Sequence, residues 1–161
     1  MKKLYLYLVM SFIIISLSGC QSGVVPVVDE ALMRAEINQW LDDFEAAWVS
    51  NDSNILINFY ADPHSEIDTT LQEMYTFTLS AWKTTLDDVI FPVIEVQSDS
   101  FQDRQITIVD STTVTVNCNE YTQYIENGSP TSKINEINLT LIKVNNQWKV
   151  SIYELVSTTV L

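Results

Sequence analysis

The sequence predicts an α+β domain, helices first and sheet after, behind a short N-terminal leader. Three observations carry this. Apolar residues recur at spacings of three and four from Leu32 to Val89; Pro92 then interrupts the chain; beyond it the alternation has a period of two. A run of helices followed by a run of strands is the pattern of an α+β domain rather than of alternating βαβ units.

Taken in order, Lys2 and Lys3 precede an apolar run, Leu4 to Leu17, broken by Ser11 and Ser16. At about 1.5 Å per residue the run reaches about 21 Å, short of a hydrocarbon core of about 30 Å. Residues 1–19 therefore read as a secretory signal rather than a permanent span. The tetrad Leu17-Ser18-Gly19-Cys20 resembles the lipobox of bacterial lipoproteins. That resemblance implies lipidation of Cys20, which becomes the new N-terminus, and a membrane as partner through acyl chains. Each buried CH₂ contributes about 0.8 kcal/mol, and a stable hold takes more than one chain. Gln21 stands where an aspartate would favour inner-membrane retention, so the expected address is the cell envelope. Where the source has two membranes, it is the periplasmic face of the outer one.

Residues 20–30, with Gly23 and Pro26 among valines, read as the lipidated cysteine and a tether, and residues 31–161 as one domain. With Cys20 lipidated, Cys118 has no intrachain partner and reads as a small buried hydrophobe. The whole chain carries a formal charge of −13, and loss of Lys2 and Lys3 makes the mature protein more negative still. A field of that sign excludes nucleic acid as a partner. No metal-ligand cluster, phosphate-cradling glycine loop, GxSxG or HExxH occurs, so no metal or cofactor is expected.

The first helix is predicted from Glu30, with Met33, Ile37, Trp40, Leu41, Phe44, Ala47 and Trp48 on its apolar stripe. Asn51-Asp52-Ser53 stops it and caps a second, which carries Ile55, Leu56, Phe59 and Tyr60 and ends at Asp62-Pro63. A third is predicted from Asp68 to Val89, with Leu71, Met74, Tyr75, Trp82 and Leu86 inward. The strands follow: Val93 to Val96, Gln105 to Val109, Thr112 to Ile125, Ile134 to Val144, and Gln147 to Leu155 or beyond. Asn127-Gly128 and Asn145-Asn146 are the turns between the last three. Val114, Val116 and Cys118 share a face whose next member is Glu120: either a bulge re-aims the strand there, or an acid points inward. Glu154 shares parity with Trp148, Val150 and Ile152 in the same way.

The aromatic first helix with Trp40 and Trp48, the run Asn51-Asp52-Ser53 to Phe59-Tyr60-Ala61-Asp62, and the final hairpin Leu141 to Val150 resemble the nuclear transport factor 2-like superfamily, including its SnoaL-like and ketosteroid-isomerase-like branches. The resemblance implies three helices packed on a curved antiparallel sheet, cone-shaped, with a pocket between them and often a dimer through the outer sheet face. Thr113, Thr115, Tyr121 and Tyr153 are the candidates for such a homodimer face. Candidate pocket residues are Trp40, Tyr60, Trp82, Tyr121, Tyr124, Trp148 and Glu154. Candidate catalytic groups are Asp62, Glu120, Tyr60 and His64: a carboxylate in an apolar cone has its pKa raised, and the lone histidine titrates near neutrality. Against these stand ordinary roles, a turn cap for Asp62, a solvated loop for His64 and core packing for the aromatics. Two functions are therefore expected: a lipid-anchored module that binds a small apolar ligand or an envelope protein, or an isomerase, cyclase or dehydratase working through Glu120 or Asp62 with a tyrosine, Tyr60 or Tyr124.

Overall fold

The computed structural model describes residues 29–161; the leader, Cys20 and the tether lie outside the described residues. Helix α1, Glu30–Val49, is capped by Asp29, whose side chain accepts from Leu32 N. It spans about 30 Å and buries Met33, Ile37, Leu41, Phe44 and Ala47. Its end is fixed by Asn51, whose amide makes two hydrogen bonds with the backbone of Val96, at 2.8 and 3.0 Å. Helix α2, Ser53–Leu56, is capped by Asp52 and runs into a 3₁₀ turn, Ile57–Phe59. Strands β1, Tyr60–Asp68, and β2, Glu73–Phe77, form a hairpin. Helix α3, Leu79–Thr85, capped by Thr78, continues as one π turn, Leu86–Ile90. Strands β3, Ile94–Ile108, β4, Thr113–Glu126, β5, Ser129–Val144, and β6, Gln147–Val160, make an antiparallel meander.

The sheet has the order β2-β1-β6-β5-β4-β3, with β1 parallel to β6. It is a curved six-stranded mixed sheet with the helices packed on one face. The expected α+β class holds, with one parallel pair added to the antiparallel sheet.

The first half departs from expectation. The third helix does not begin at Asp68, and the second does not reach Tyr60. Asp68 Oδ1 instead accepts from the backbone of Thr70 and Leu71, a local turn that competes with a helix N-cap for the same side chain. With Gln72 at φ 59° this closes the β1–β2 hairpin, and Leu71 and Met74 are left 66% and 68% exposed. In the second half, Val93–Val96 and Gln105–Val109 belong to one strand, β3, broken by register shifts between Val96 and Ser98 and between Gln102 and Gln105. A bulge inserts an unpaired residue and bends the strand, so the alternation no longer reads as continuous. Both asparagine turns form as expected, with Asn127, Gly128, Asn145 and Asn146 all at positive φ.

Strand β6 also bulges, at Ser151 and Val156, as its register against β5 shows. Trp148 and Val150 face the core, but after Ser151 the inward positions are Tyr153 and Leu155. Ile152 therefore leaves the face predicted for it, Tyr153 leaves the outer face, and Glu154 turns outward.

Phe44 is the hub of the core. Its ring centroid lies 5.0 Å from Trp40, 5.4 Å from Phe59, 5.7 Å from Tyr60 and 5.8 Å from Phe101, tying α1 to β1 and β3. Phe44→Ala is expected to cost about 3–5 kcal/mol in urea unfolding. Exposed Leu71→Ala is expected to change stability by less than about 0.5 kcal/mol.

Candidate functional site

Strand β4 pairs with β5 without a register shift from Thr113 to Glu126. No bulge re-aims it, so Glu120 follows Val114, Val116 and Cys118 to the inner face and is 7% exposed. Its Oε2 accepts from Asn135 Nδ2 at 2.7 Å and from the Tyr153 hydroxyl at 3.0 Å. The β6 bulges bring Tyr153 inward to make that bond. Asn135 is oriented in turn by the Thr158 hydroxyl, 2.9 Å from its Oδ1. One rung along the sheet, Asp99, Thr122 and Lys133 stand side by side on β3, β4 and β5. Asp99 Oδ1 accepts from Thr122 Oγ1 at 3.0 Å, while its Oδ2 is buried without a partner in the protein.

These groups line an inner cavity of about 200 Å³, closed on its apolar side by Trp48, Ile90 and Ile94 and at one end by Tyr124. Trp48 Nε1 and the Tyr124 hydroxyl, like Asp99 Oδ2, are buried with no protein partner. Unmade bonds of this kind cost about 1–3 kcal/mol each.

The acids shift one another. Burial, and then the charge of Glu120, pushes the Asp99 carboxyl up to about 8. Burial also raises Glu120, and its hydrogen bonds from Asn135 and Tyr153 oppose that rise. Of the two, Glu120 is therefore the better seat for a negative charge and Asp99 for a proton. Burial and Glu120 likewise raise Glu66 and Tyr153, and push the Cys118 thiol up to about 12, an unreactive thiol.

The other sequence candidates divide. Asp62 is exposed and its carboxylate accepts from Leu79 N at 3.3 Å, a cap for α3. His64 is not solvated: it is 1% exposed, boxed by Tyr60, Phe77 and Trp82, with Nε2 3.5 Å from Glu66. Burial lowers its pKa and raises that of Glu66, which works against an ion pair between them. Tyr60 and Trp82 are core residues outside the cavity. Tyr121 stands on the opposite face of β4, with Thr113 and Thr115, and Glu154 on the outer face of β6, where it accepts from Asn138. Trp40 and Trp148 border a larger outer cleft of about 670 Å³. Its polar groups satisfy one another: Trp40 donates to Trp148 O, and Trp148 and Lys143 both donate to Glu36. The inner cavity, with its unmade bonds and perturbed acids, is the stronger candidate.

Asp99, Lys133 and Asn135 escape sequence inspection. Asp99 sits in Ser98-Asp99-Ser100, which looks like a turn until the β3 bulge is known. Lys133 and Asn135 were legible in principle, since they extend the parity of Ile137, Leu139 and Leu141.

Neither a protein-family profile nor a functionally curated protein matches the sequence. Solved structures do resemble the fold. They include a protein provisionally assigned as a scytalone dehydratase from Novosphingobium aromaticivorans, at 19% identity and TM-score 0.66 over 81% of this chain and 88% of that one. A hexachlorocyclohexane dehydrochlorinase, LinA type 3, from Novosphingobium barchaimii matches at 13% and 0.65, over 83% and 92%. A nuclear transport factor 2-like protein of unknown function in nutrient uptake from Rhodospirillum rubrum matches at 13% and 0.62, over 78% and 98%. The domain thus has the nuclear transport factor 2-like cone fold, among whose members are enzymes.

Asp99 gives a testable pH dependence. It keeps its proton in the folded state up to about 8, whereas the unfolded chain releases it near the ordinary aspartate value of 3.8. Between those values the folded state binds more protons, so stability falls as pH rises. Asp99→Asn removes this loss. Its melting temperature is expected to exceed that of the parent by roughly 5 °C or more at pH 8, with the two converging as pH approaches 4. A difference that does not vary with pH would show that Asp99 is not held protonated.

Proposed function

We propose that the chain is a cell-envelope lipoprotein, anchored through Cys20, whose cone carries out proton transfer on a small, largely apolar molecule bearing a carbonyl oxygen. The reaction class is isomerisation or elimination. The observation that carries this reading is Glu120, buried in the cavity with the Tyr153 hydroxyl at 3.0 Å and a neutral-leaning Asp99 beside it.

Each group has a part. Ionised Glu120 removes a proton from the carbon next to the carbonyl, and the C–H electron pair moves toward the oxygen. The Asp99 acid proton and the Trp48 N–H are donors without partners, placed to receive the charge that develops there. In an isomerisation Glu120 returns the proton to another carbon. In an elimination the electron pair instead expels a leaving group from the neighbouring carbon. Two of the structural neighbours are named for eliminations, a dehydratase and a dehydrochlorinase. A cavity of about 200 Å³ suits a ligand of about one ring. Asp62 and His64 take no part.

The same cavity without turnover is a ligand-binding module, and one experiment separates the two. The mature protein is incubated with small cyclic ketones and enones in D₂O, and exchange of the α-hydrogens is followed by proton NMR. Catalysed exchange is expected, with Glu120→Gln slowing it about 10²-fold or more while ligand-induced shifts persist. Binding without exchange above background across the panel would leave only the binding module.

The anchor is tested separately. Metabolic labelling with a palmitate analogue is expected to mark the parent chain, and Cys20→Ser is expected to lose both the label and the membrane fraction. A Cys20→Ser protein that keeps both would remove the lipoprotein reading.

A further inference from the structure

Lys133 is the cation of the inner cavity, and it is unspent. Among the described lysines, Lys83 and Lys143 have carboxylate partners, and Lys149 donates to Asn58 O. No ion pair among the described residues includes Lys133. Its ammonium lies 5.1 Å over the Tyr124 ring at the half-exposed rim. Tyr124 is 5% exposed, and its hydroxyl has no partner. One residue pair, Lys133 over the Tyr124 ring, thus brings an ammonium without an ion-pair partner and an unpartnered hydroxyl to one end of the cavity.

The register sets the distance to the other end. Lys133 pairs with Thr122, and Asn135 pairs with Glu120. Successive inward positions on a strand are about 7 Å apart, and the lysine leans toward Tyr124, away from Glu120. Between the ends lie Thr122 and, beside it on β3, Asp99; Trp48, Ile90 and Ile94 supply the apolar part of the wall. The wall offers donors at the rim, the Thr122–Asp99 pair in the middle, an acceptor, Glu120, at the far side, and apolar side chains from Trp48, Ile90 and Ile94.

We propose that the molecule this cavity takes is a small organic carboxylate, one ring in size. Lys133 Nζ and Tyr124 Oη receive its carboxylate at the rim, and its body lies over Thr122 toward Glu120. The assignment rests on the cavity's being the functional site and names the class of substrate for it. The chain's overall negative charge does not oppose it at contact range, because long-range repulsion is screened over about 8 Å in physiological salt. An ammonium 4 Å from a carboxylate in a half-buried setting outweighs that residual field.

The test uses the mature protein and three ring-matched probes: benzoate, benzamide and benzylamine. Affinities are measured by NMR titration at pH 7 and low salt. Benzoate is expected to bind on the order of tenfold more tightly than benzamide, with the advantage shrinking as salt is raised. Lys133→Gln is expected to abolish that advantage while leaving benzamide binding unchanged, and Lys133→Arg to restore it. Benzoate is also expected to shift the ring signals of Tyr124 and Tyr153. Equal affinity for benzoate and benzamide, a preference for benzylamine, an unaltered preference in Lys133→Gln, or shifts confined to other residues would each overturn the proposal. Failure of all three probes to bind would overturn it together with the cavity reading. Selective benzoate binding without ketone exchange would overturn the proton-transfer reading and leave the carboxylate site standing.

Discussion

The pleat of β4 is the constraint from which the interior follows. A strand in unbroken register sends alternate side chains to the same face, so the pattern that buries Val114, Val116 and Cys118 also buries Glu120. Once that carboxyl is inside, its surroundings answer to it. Burial first, and then its charge, raises the pKa of Asp99, Glu66, Tyr153 and Cys118. The strands that bend are β3, beside β4, and β6, two strands away. Bulges in β3 place Asp99 beside Thr122, and bulges in β6 turn Tyr153 inward to meet the acid. Arg104 and Glu45 hold the second β3 bulge to α1: Glu45 Oε1 accepts from both Phe101 N and Arg104 Nη2, and Arg104 also donates to Phe101 O.

Such an interior is expensive. Moving an ionised carboxylate from water into a protein costs several kcal/mol after relaxation, and a partly satisfied polar cluster is less stable than an apolar one of the same volume. Two donors on Glu120 and a retained proton on Asp99 reduce the cost without removing it. The deficit is offset at a distance, by the aromatic packing around Phe44 and the apolar faces of α1, β4 and β5. Acids kept inside an apolar cavity against the gradient of stability are what marks this cavity out as a candidate site.

How much of this was legible follows from the same geometry. The helix α1, the meander and both asparagine turns lie where the backbone keeps its ideal repeat, and there the residue pattern maps directly onto structure. Glu120 was visible as a break in that pattern, and its two outcomes differed only in whether β4 bulged. Asp99 and Tyr153 were hidden because each depends on a bulge, which shifts parity by one residue and leaves no reliable mark in the alternation. The β1–β2 hairpin was hidden for another reason. Asp68 offers the same hydrogen bonds to a helix start as to a turn, and only pairing with β6, far along the chain, decides between them.

Division of labour between the two acids needs no further residue. Two carboxyls sharing an apolar cavity cannot both ionise cheaply, so one proton stays between them over the range where a single acid would have lost it. Hydrogen bonding then helps decide where: the Asn135 and Tyr153 side chains both address Glu120, whereas Asp99 receives one side-chain donor, the Thr122 hydroxyl. The ammonium of Lys133, drawn over Tyr124, is not placed to neutralise either acid. The cavity is thereby left with two carboxyls of unequal acidity at neighbouring positions, and neutralising Glu120 alters Asp99. Replacing Glu120 by glutamine would leave burial, the larger cause, holding Asp99 up and would remove the second, the charge of Glu120, so Asp99 would titrate lower than about 8. The protonation states of the two carboxyls in this cone are set together, by burial, by the charge of Glu120 and by a hydrogen-bond difference across a single sheet rung.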